Sequence, residues 1–225
     1  MVLSPAQAAI RLKISERRVR ALLEEGRIPA QRVSGRWVID EADLSQHQPG
    51  GPAGRPLSER SAWLFITRAC TTDHRTPAPD LSAVEKHRVN QRLERLKESP
   101  DPLGLIRSLL ANRAEKVGFS SSPADLAELR EDPRLRLSGV SHPDSGLLSN
   151  AEIEAYASRE DFESVVKDWF LVRPAAGQRP NVILHVAESI PEELPPLAVA
   201  ADLAERPGAR EQQAAREIIR NIHAD

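Results

Sequence analysis

Along the first 46 residues, apolar positions recur twice with a helical period and then give way to short β-prone runs. Ser4-Pro5-Ala6-Gln7 has the make-up of a helix start: a hydroxyl to cap free amides, proline at the first helical position and glutamine three residues past the cap. Ala8, Ala9 and Leu12 give the short helix that follows a small apolar face. Ser15 caps a second helix, Glu16 to Glu25, and Gly26 is placed to end it in a left-handed conformation. Val19, Leu22 and Leu23 fall at i, i+3, i+4 and must face inward together with Ile14. That leaves Arg17, Arg18 and Arg20 near the exposed N-terminal end. Residues 28–33 and 36–39 are β-prone runs flanking Ser34-Gly35, which predicts a tight hairpin with Trp37 packed against the helices. Asp40 is then expected to cap a short helix through Leu44.

Helix, turn, helix, hairpin, helix within 46 residues is the layout of a winged helix-turn-helix. Such a motif docks the start of its second helix in the major groove. Ser15, Arg17, Arg18 and Arg20 are therefore candidate DNA contacts, and Arg32 is either a hairpin contact or a surface residue. The order Leu3-Ser4, Ala8-Ala9, Ile14-Ser15, Val19, Gly26-Arg27-Ile28-Pro29-Ala30, Val33-Ser34-Gly35-Arg36-Trp37-Val38-Ile39 and Asp43-Leu44 resembles the excisionase/MerR-like DNA-binding domain. The resemblance covers essentially all of residues 1–46. It implies recognition-helix contacts from Arg17, Arg18 and Arg20 and a wing contact from Arg36. Lys13 departs from it, standing where many relatives place glycine, so the turn is either reshaped or gains a phosphate contact. Some excisionase-like folds bind proteins instead of DNA, which keeps a second reading open.

Composition divides the chain. Residues 47–56 hold six Pro or Gly and almost nothing apolar, the signature of a flexible linker. Residues 1–46 carry eight Lys/Arg against six Asp/Glu, and the remainder 23 against 27. The sign of that asymmetry suits a DNA-binding head on an acidic body. The chain as a whole, 225 residues at net −2, has no basic field of its own. No run approaches the ~18 apolar residues of a membrane span, and the first residues lack a signal-peptide pattern. A cytoplasmic protein without a membrane partner is the expectation, and the single Cys70 can form no internal disulfide.

In residues 57–225 the pattern predicts helices up to about residue 114 and a mixed region after it. Ser58 caps a helix through Ile66, and Asp80 a longer one carrying Leu81, Val84, Val89, Leu93 and Leu96. Leu103, Ile106 and Leu110 mark a third, and the polar, proline-bearing residues 72–80 read as a mobile loop. Val117-Gly118-Phe119 and Leu135-Arg136-Leu137 look like strands around a helix bearing Leu126 and Leu129. Ser149-Asn150-Ala151-Glu152 has the form of a capping box before a helix with Ile153 and Tyr156. Phe162, Val165, Val166, Trp169 and Phe170 give the best amphipathic helix in the chain. It is expected to run into a hairpin in which residues 171–173 pair with residues 181–186. Two further helices close the chain. The expected fold class is mainly α with small β elements (α+β), an N-terminal winged helix-turn-helix plus a larger helical and mixed C-terminal domain.

The runs Asp132-Pro133-Arg134-Leu135-Arg136-Leu137-Ser138-Gly139, Asn181-Val182-Ile183-Leu184-His185-Val186, and Leu194-Pro195-Pro196 leading into Ala201-Asp202-Leu203-Ala204-Glu205 resemble bacterial regulators of the AbiEi antitoxin type. That resemblance implies operon autoregulation through the head and a nucleotidyltransferase-like toxin as partner of the body. No catalytic residue carries over. Nor does the sequence offer one: the six histidines show no metal-ligand spacing, and no Walker loop, GxSxG or HExxH is present. Asp80, Glu85 and Lys86 hint at a nuclease but fall at a helix start instead of a strand edge. Cys70 has no histidine near it in sequence. No enzyme, no cofactor and no metal is expected. The leading function is a sequence-specific DNA-binding transcriptional regulator with double-stranded DNA as partner. A cognate toxin and a second copy of the chain, as a homodimer, are the further partners. The alternative is a protein-interaction module that caps a toxin and binds DNA little.

Overall fold

The computed structural model describes residues 2–12, 14–24, 28, 30–33, 35–40, 44, 55–70, 81–147, 149–175 and 177–224. Lys13, Gly26, residues 47–54 of the expected linker, the 72–80 loop and the expected cap Asp80 lie outside them. The described chain clusters into two compact units, one built from the first 50 residues and one from most of the rest. Among the described residues the fold is mainly α with small β elements, as the patterning predicts.

The first unit is set by local signals. The Ser4 and Gln7 side chains cap each other's amides at the start of α1 (Pro5–Leu12), with Gln7 N donating to Ser4 Oγ at 3.3 Å and Ser4 N to Gln7 Oε1 at 2.9 Å. Ser15 Oγ accepts from Arg18 N at 3.3 Å and opens α2 (Glu16–Glu24). Ala8, Ala9, Leu12, Val19, Leu22, Leu23 and Ile28 are buried together, with Leu44 helical and equally buried. β1 (Val2–Leu3), β2 (Gln31–Val33) and β3 (Arg36–Asp40) form an antiparallel sheet in the order β1-β3-β2. Val33 faces Arg36 across a two-residue turn in which Gly35 takes φ +77°, a conformation that favours glycine. The β1 strand, paired through Leu3 to Ile39, has no counterpart in the sequence reading; two residues cannot show a period.

The second unit is a four-stranded sheet, order β4-β7-β6-β5, with helices on both faces: β4 (Glu115–Phe119), β5 (Leu135–Leu137), β6 (Ile153–Ser158) and β7 (Val182–Ala187). Strands β6 and β7 run parallel, and each has an antiparallel outer neighbour. Alternate residues of the two central strands (Ile153, Ala155, Ala157, Val182, Leu184, Val186) join Leu126, Leu129 and Val165 in one apolar core. This core packs α6 (Leu126–Arg130) and α7 (Arg159–Asp168) against one face. The other face meets α3 (Glu59–Ala69), α4 (Ala83–Lys97), α5 (Pro102–Leu109), α8 (Pro196–Glu205) and α9 (Ala209–Ala224), with Phe65, Ile66, Leu103, Ile106 and Leu197 at its centre.

The structure corrects three sequence expectations. Residues 153–158 are a central strand, not a capped helix, because Ile153, Ala155 and Ala157 share one face at a period of two while Glu154 and Tyr156 turn to the other. Residues 171–173 do not pair with 181–186. Val172 instead exchanges two hydrogen bonds with Ser120 at 2.8 and 3.2 Å, and β7 inserts between β4 and β6. Strand β7 is buried along almost its whole length, so a central position, which satisfies both of its backbone edges, suits it better than a peripheral hairpin. The cap of α4 is Ser82, in a reciprocal pair with Glu85.

The end of α7 breaks a local rule. Leu171 N donates to Val166 O and Phe170 N to Lys167 O, the hydrogen bonds of a Schellman turn, and Phe170 occupies its left-handed position at φ +48° where glycine is favoured. The ring is 85% exposed, so no burial inside the chain offsets the strain. Replacing Phe170 with glycine is expected to stabilise the second unit by about 0.5–1 kcal/mol, measured as a raised urea midpoint at unchanged slope. A lowered midpoint would mean the ring makes native contacts that its exposure denies.

Candidate functional site

In the first unit the inward face of α2, made by Val19, Leu22 and Leu23, fixes which residues point out. Arg17, Arg18 and Arg20 are all exposed. Glu16 reaches back along the helix to Arg20: Glu16 Oε1 accepts from Arg20 Nη2 at 2.7 Å and from Nε at 3.1 Å. The pairing is an i, i+4 contact readable from the sequence that the sequence reading missed. Arg17 and Arg18 make no side-chain ion pair among the described residues. Ser15 spends its oxygen on the helix cap and keeps a hydroxyl proton to donate. A shallow depression runs along Glu16, Arg17, Arg20 and Ala21. Arg32 stands directly across from Trp37 and stacks on its ring, guanidinium carbon 4.6 Å from the centroid. Trp37 is half-buried against the helical core. Arg36 lies in β3, but its side chain falls outside the described residues, as does Lys13.

The second unit holds a group of ionisable side chains that the sequence reading did not connect. The polar face of β6 and β7 presents Glu154, Tyr156 and His185, and α8 lays Asp202 onto them; all four are essentially inaccessible. His185 Nε2 lies 2.9 Å from Glu154 Oε1 and 3.5 Å from Asp202 Oδ1, and its ring stacks on Tyr156 at 4.8 Å between centroids. Arg113, buried after α5, donates to Asp202, to the Tyr156 hydroxyl (2.8 Å) and to the carbonyl of Leu110 (2.9 Å), and ion-pairs with Glu205 (2.6 Å). Arg206 Nε donates to Glu154 Oε2 at 2.8 Å, and Lys116 Nζ to Glu205 at 3.0 Å.

Glu154, His185 and Asp202 offer three ligand atoms within 4.8 Å of one another, a spacing a divalent cation can bridge. Arg113, Arg206 and Lys116 already neutralise these carboxylates, and a divalent ion beside them would face three fixed positive charges. The donor set therefore fits an ion-paired core better than a metal centre.

Burial pushes the Glu154 carboxyl up, but the His185 hydrogen bond and the charges of Lys116 and Arg206 outweigh it and hold it at about 2. Glu205 is likewise pulled below the ordinary carboxylate range, burial being overcome by Arg113 and Lys116. Asp132 is brought to about 2, first by its hydrogen bonds from Arg134 and then by the one from Trp169. A folded-state value below the unfolded one contributes stability that is complete above pH ~4.5 and vanishes as the pH falls. The urea midpoint of the second unit is thus expected to drop steeply between pH 4.5 and 2. A midpoint flat over that window would contradict the ionised cluster.

Residues 2–48, about a fifth of the chain, match the family model of a helix-turn-helix domain. The match makes the first unit a helix-turn-helix domain and supports a DNA-binding regulatory role. No curated protein and no solved structure matches the chain. Among the described residues no helix is long and apolar enough to cross a membrane.

Proposed function

We propose that the protein is a sequence-specific transcriptional regulator, cytoplasmic and without catalytic activity, whose first unit binds double-stranded DNA through α2. The observation that carries this reading is the pair Arg17 and Arg18, exposed and without an ion pair among the described residues, at the start of the second helix of a helix-turn-helix domain. A guanidinium there can fork onto a guanine edge, each good contact contributing about 1–3 kcal/mol of discrimination. Arg20, held by Glu16, is better suited to a phosphate or to handing Glu16 to a cytosine amino group. The β2–β3 hairpin serves as a wing of the excisionase/MerR kind, with Arg36 at its turn. Arg32 is committed to Trp37 and stiffens the hairpin. One head spans a single half-site, so a homodimer or adjacent copies supply the second.

The test is selection of a preferred duplex from a random pool by the full chain. Arg17→Ala with Arg18→Ala is then expected to lower affinity for the selected duplex about a hundredfold while leaving the melting temperature unchanged. Unchanged affinity would remove α2 as the reading helix.

A second reading, an antitoxin of the AbiEi type that binds a toxin, draws on a different feature. Phe170 is strained and 85% exposed, and Val172 beside it is 60% exposed. An aromatic kept at such a cost suits a protein partner. On this reading Phe170→Gly weakens copurification with the cognate toxin while stabilising the isolated chain, and full retention of the toxin would remove Phe170 from the contact.

A further inference from the structure

Helix α4 does not share the acidic balance of residues 57–225. It carries Lys86, Arg88, Arg92, Arg95 and Lys97 against only Glu85 and Glu94. Val89 and Leu96 bury its inner side. Arg88, Arg92 and Arg95, spaced i, i+4, i+7, share one flank as a stripe, Arg88 and Arg95 exposed and Arg92 half-buried.

The two carboxylates have their nearest partners off the stripe, although the Arg88 charge also acts on Glu85. Glu85 closes the capping box with Ser82 and meets Arg60 at 3.4 Å, and Glu94 pairs with Lys97 at 3.1 Å. No ion pair or hydrogen bond holds any of the three stripe guanidiniums among the described residues. Like charges three and four residues apart cost a helix stability. This helix keeps three in a row with Gln91 between them, where a glutamate would relieve the repulsion. Arginines so arranged are suited to a polyanion. At 1.5 Å rise per residue the stripe spans ~10 Å, and a DNA strand advances 3.4 Å along the axis per phosphate, so three guanidiniums match a run of about three phosphates.

We propose that the Arg88–Arg92–Arg95 face of α4 is a second DNA contact, which binds the phosphate backbone without regard to sequence. The choice of DNA as the polyanion rests on the regulator reading above; the charged face itself does not. Each phosphate neutralised adds about 0.9 to the slope of log affinity against log salt concentration.

The experiment is a salt titration of full-length protein on its selected duplex and on a mixed-sequence duplex, read by fluorescence anisotropy. R88Q/R92Q/R95Q is expected to make the slope shallower by about 2–3 on both duplexes, with unchanged circular dichroism and melting temperature. R88K/R92K/R95K keeps the slope. R210Q/R216Q/R220Q on α9, which removes the same charge, also keeps it. A slope untouched by the glutamine triple, or lowered equally by the α9 triple, overturns the proposal while leaving α2 recognition intact. If the wild type selects no preferred duplex but binds mixed DNA through the stripe, the second contact stands and sequence-specific regulation falls. If it binds neither duplex, both fall.

Discussion

Asp202→Ala is expected to destabilise the second unit by about 3–5 kcal/mol, the range for stranding one partner of a buried ion pair. Asp202 sits in α8 among Val199, Ala200, Ala201, Leu203 and Ala204, all fully buried, where a carboxylate is tolerated because both of its oxygens accept hydrogen bonds. It accepts from Arg113, from the Ser138 hydroxyl and from the Tyr156 hydroxyl at 3.2 Å. Alanine leaves the Arg113 guanidinium with Glu205, the Tyr156 hydroxyl and one carbonyl, and takes away the carboxylate to which the Ser138 and Tyr156 hydroxyls donate. For a unit of this size the loss corresponds to a melting temperature lower by on the order of 10 °C. Trp63 gives a local readout, because its indole N–H donates to the Arg113 carbonyl at 2.9 Å and its ring meets Tyr156 edge-on at 5.4 Å. Adding Arg113→Met should recover part of the loss by removing the stranded charge. A cost under about 1 kcal/mol for Asp202→Ala, or no recovery in the double variant, would show that the cluster is hydrated and not a sealed ionic core.

What could be read from the sequence follows from how local each cause is. The first unit was legible because its determinants lie within a few residues of what they control: Ser4 with Gln7, Ser15 with Arg18, the Val19–Leu22–Leu23 face, the turn between Val33 and Arg36. The helices of the second unit were legible for the same reason. Strand β6 was not, since Ser149 to Glu152 imitates a helix start and its buried residues alternate between Ile153, Ala155 and Ala157 on one face and a glutamate and a tyrosine on the other. A central strand whose second face is polar inverts the usual pattern of continuous apolar residues. Arg113 and Asp202, 89 residues apart, satisfy Tyr156, and His185 and Arg206 satisfy Glu154, and no window of sequence links these partners. The candidate DNA-reading arginines were visible from position alone. That Arg20 is tied to Glu16 and Arg32 to Trp37 is what the structure adds.

Gly139→Ala should prove nearly as damaging as loss of Asp202, for a reason that can be separated by experiment. Gly139 takes φ +51°, and a methyl group added to it would lie 2.1 Å from Glu154 Oε2 and 2.6 Å from Cδ. A flexible carboxylate could swing aside, but Glu154 is fully buried and fixed by His185 at 2.9 Å and Arg206 at 2.8 Å. The substitution therefore costs the left-handed strain of a non-glycine residue, about 1–2 kcal/mol, and displaces a buried ion as well, for a total on the order of 4 kcal/mol. Gly146 supplies the control: it has φ +65° with nothing within 4 Å of an added methyl, so Gly146→Ala should cost the strain alone. In a Glu154→Ala background the obstacle is gone, and Gly139→Ala should fall to the same small cost as Gly146→Ala. The difference between the two backgrounds, read from urea midpoints, is the coupling between the glycine and the carboxylate. Equal costs with and without Glu154 would mean that the glycine is demanded by the backbone turn, and that the ionic cluster has room to adjust around it.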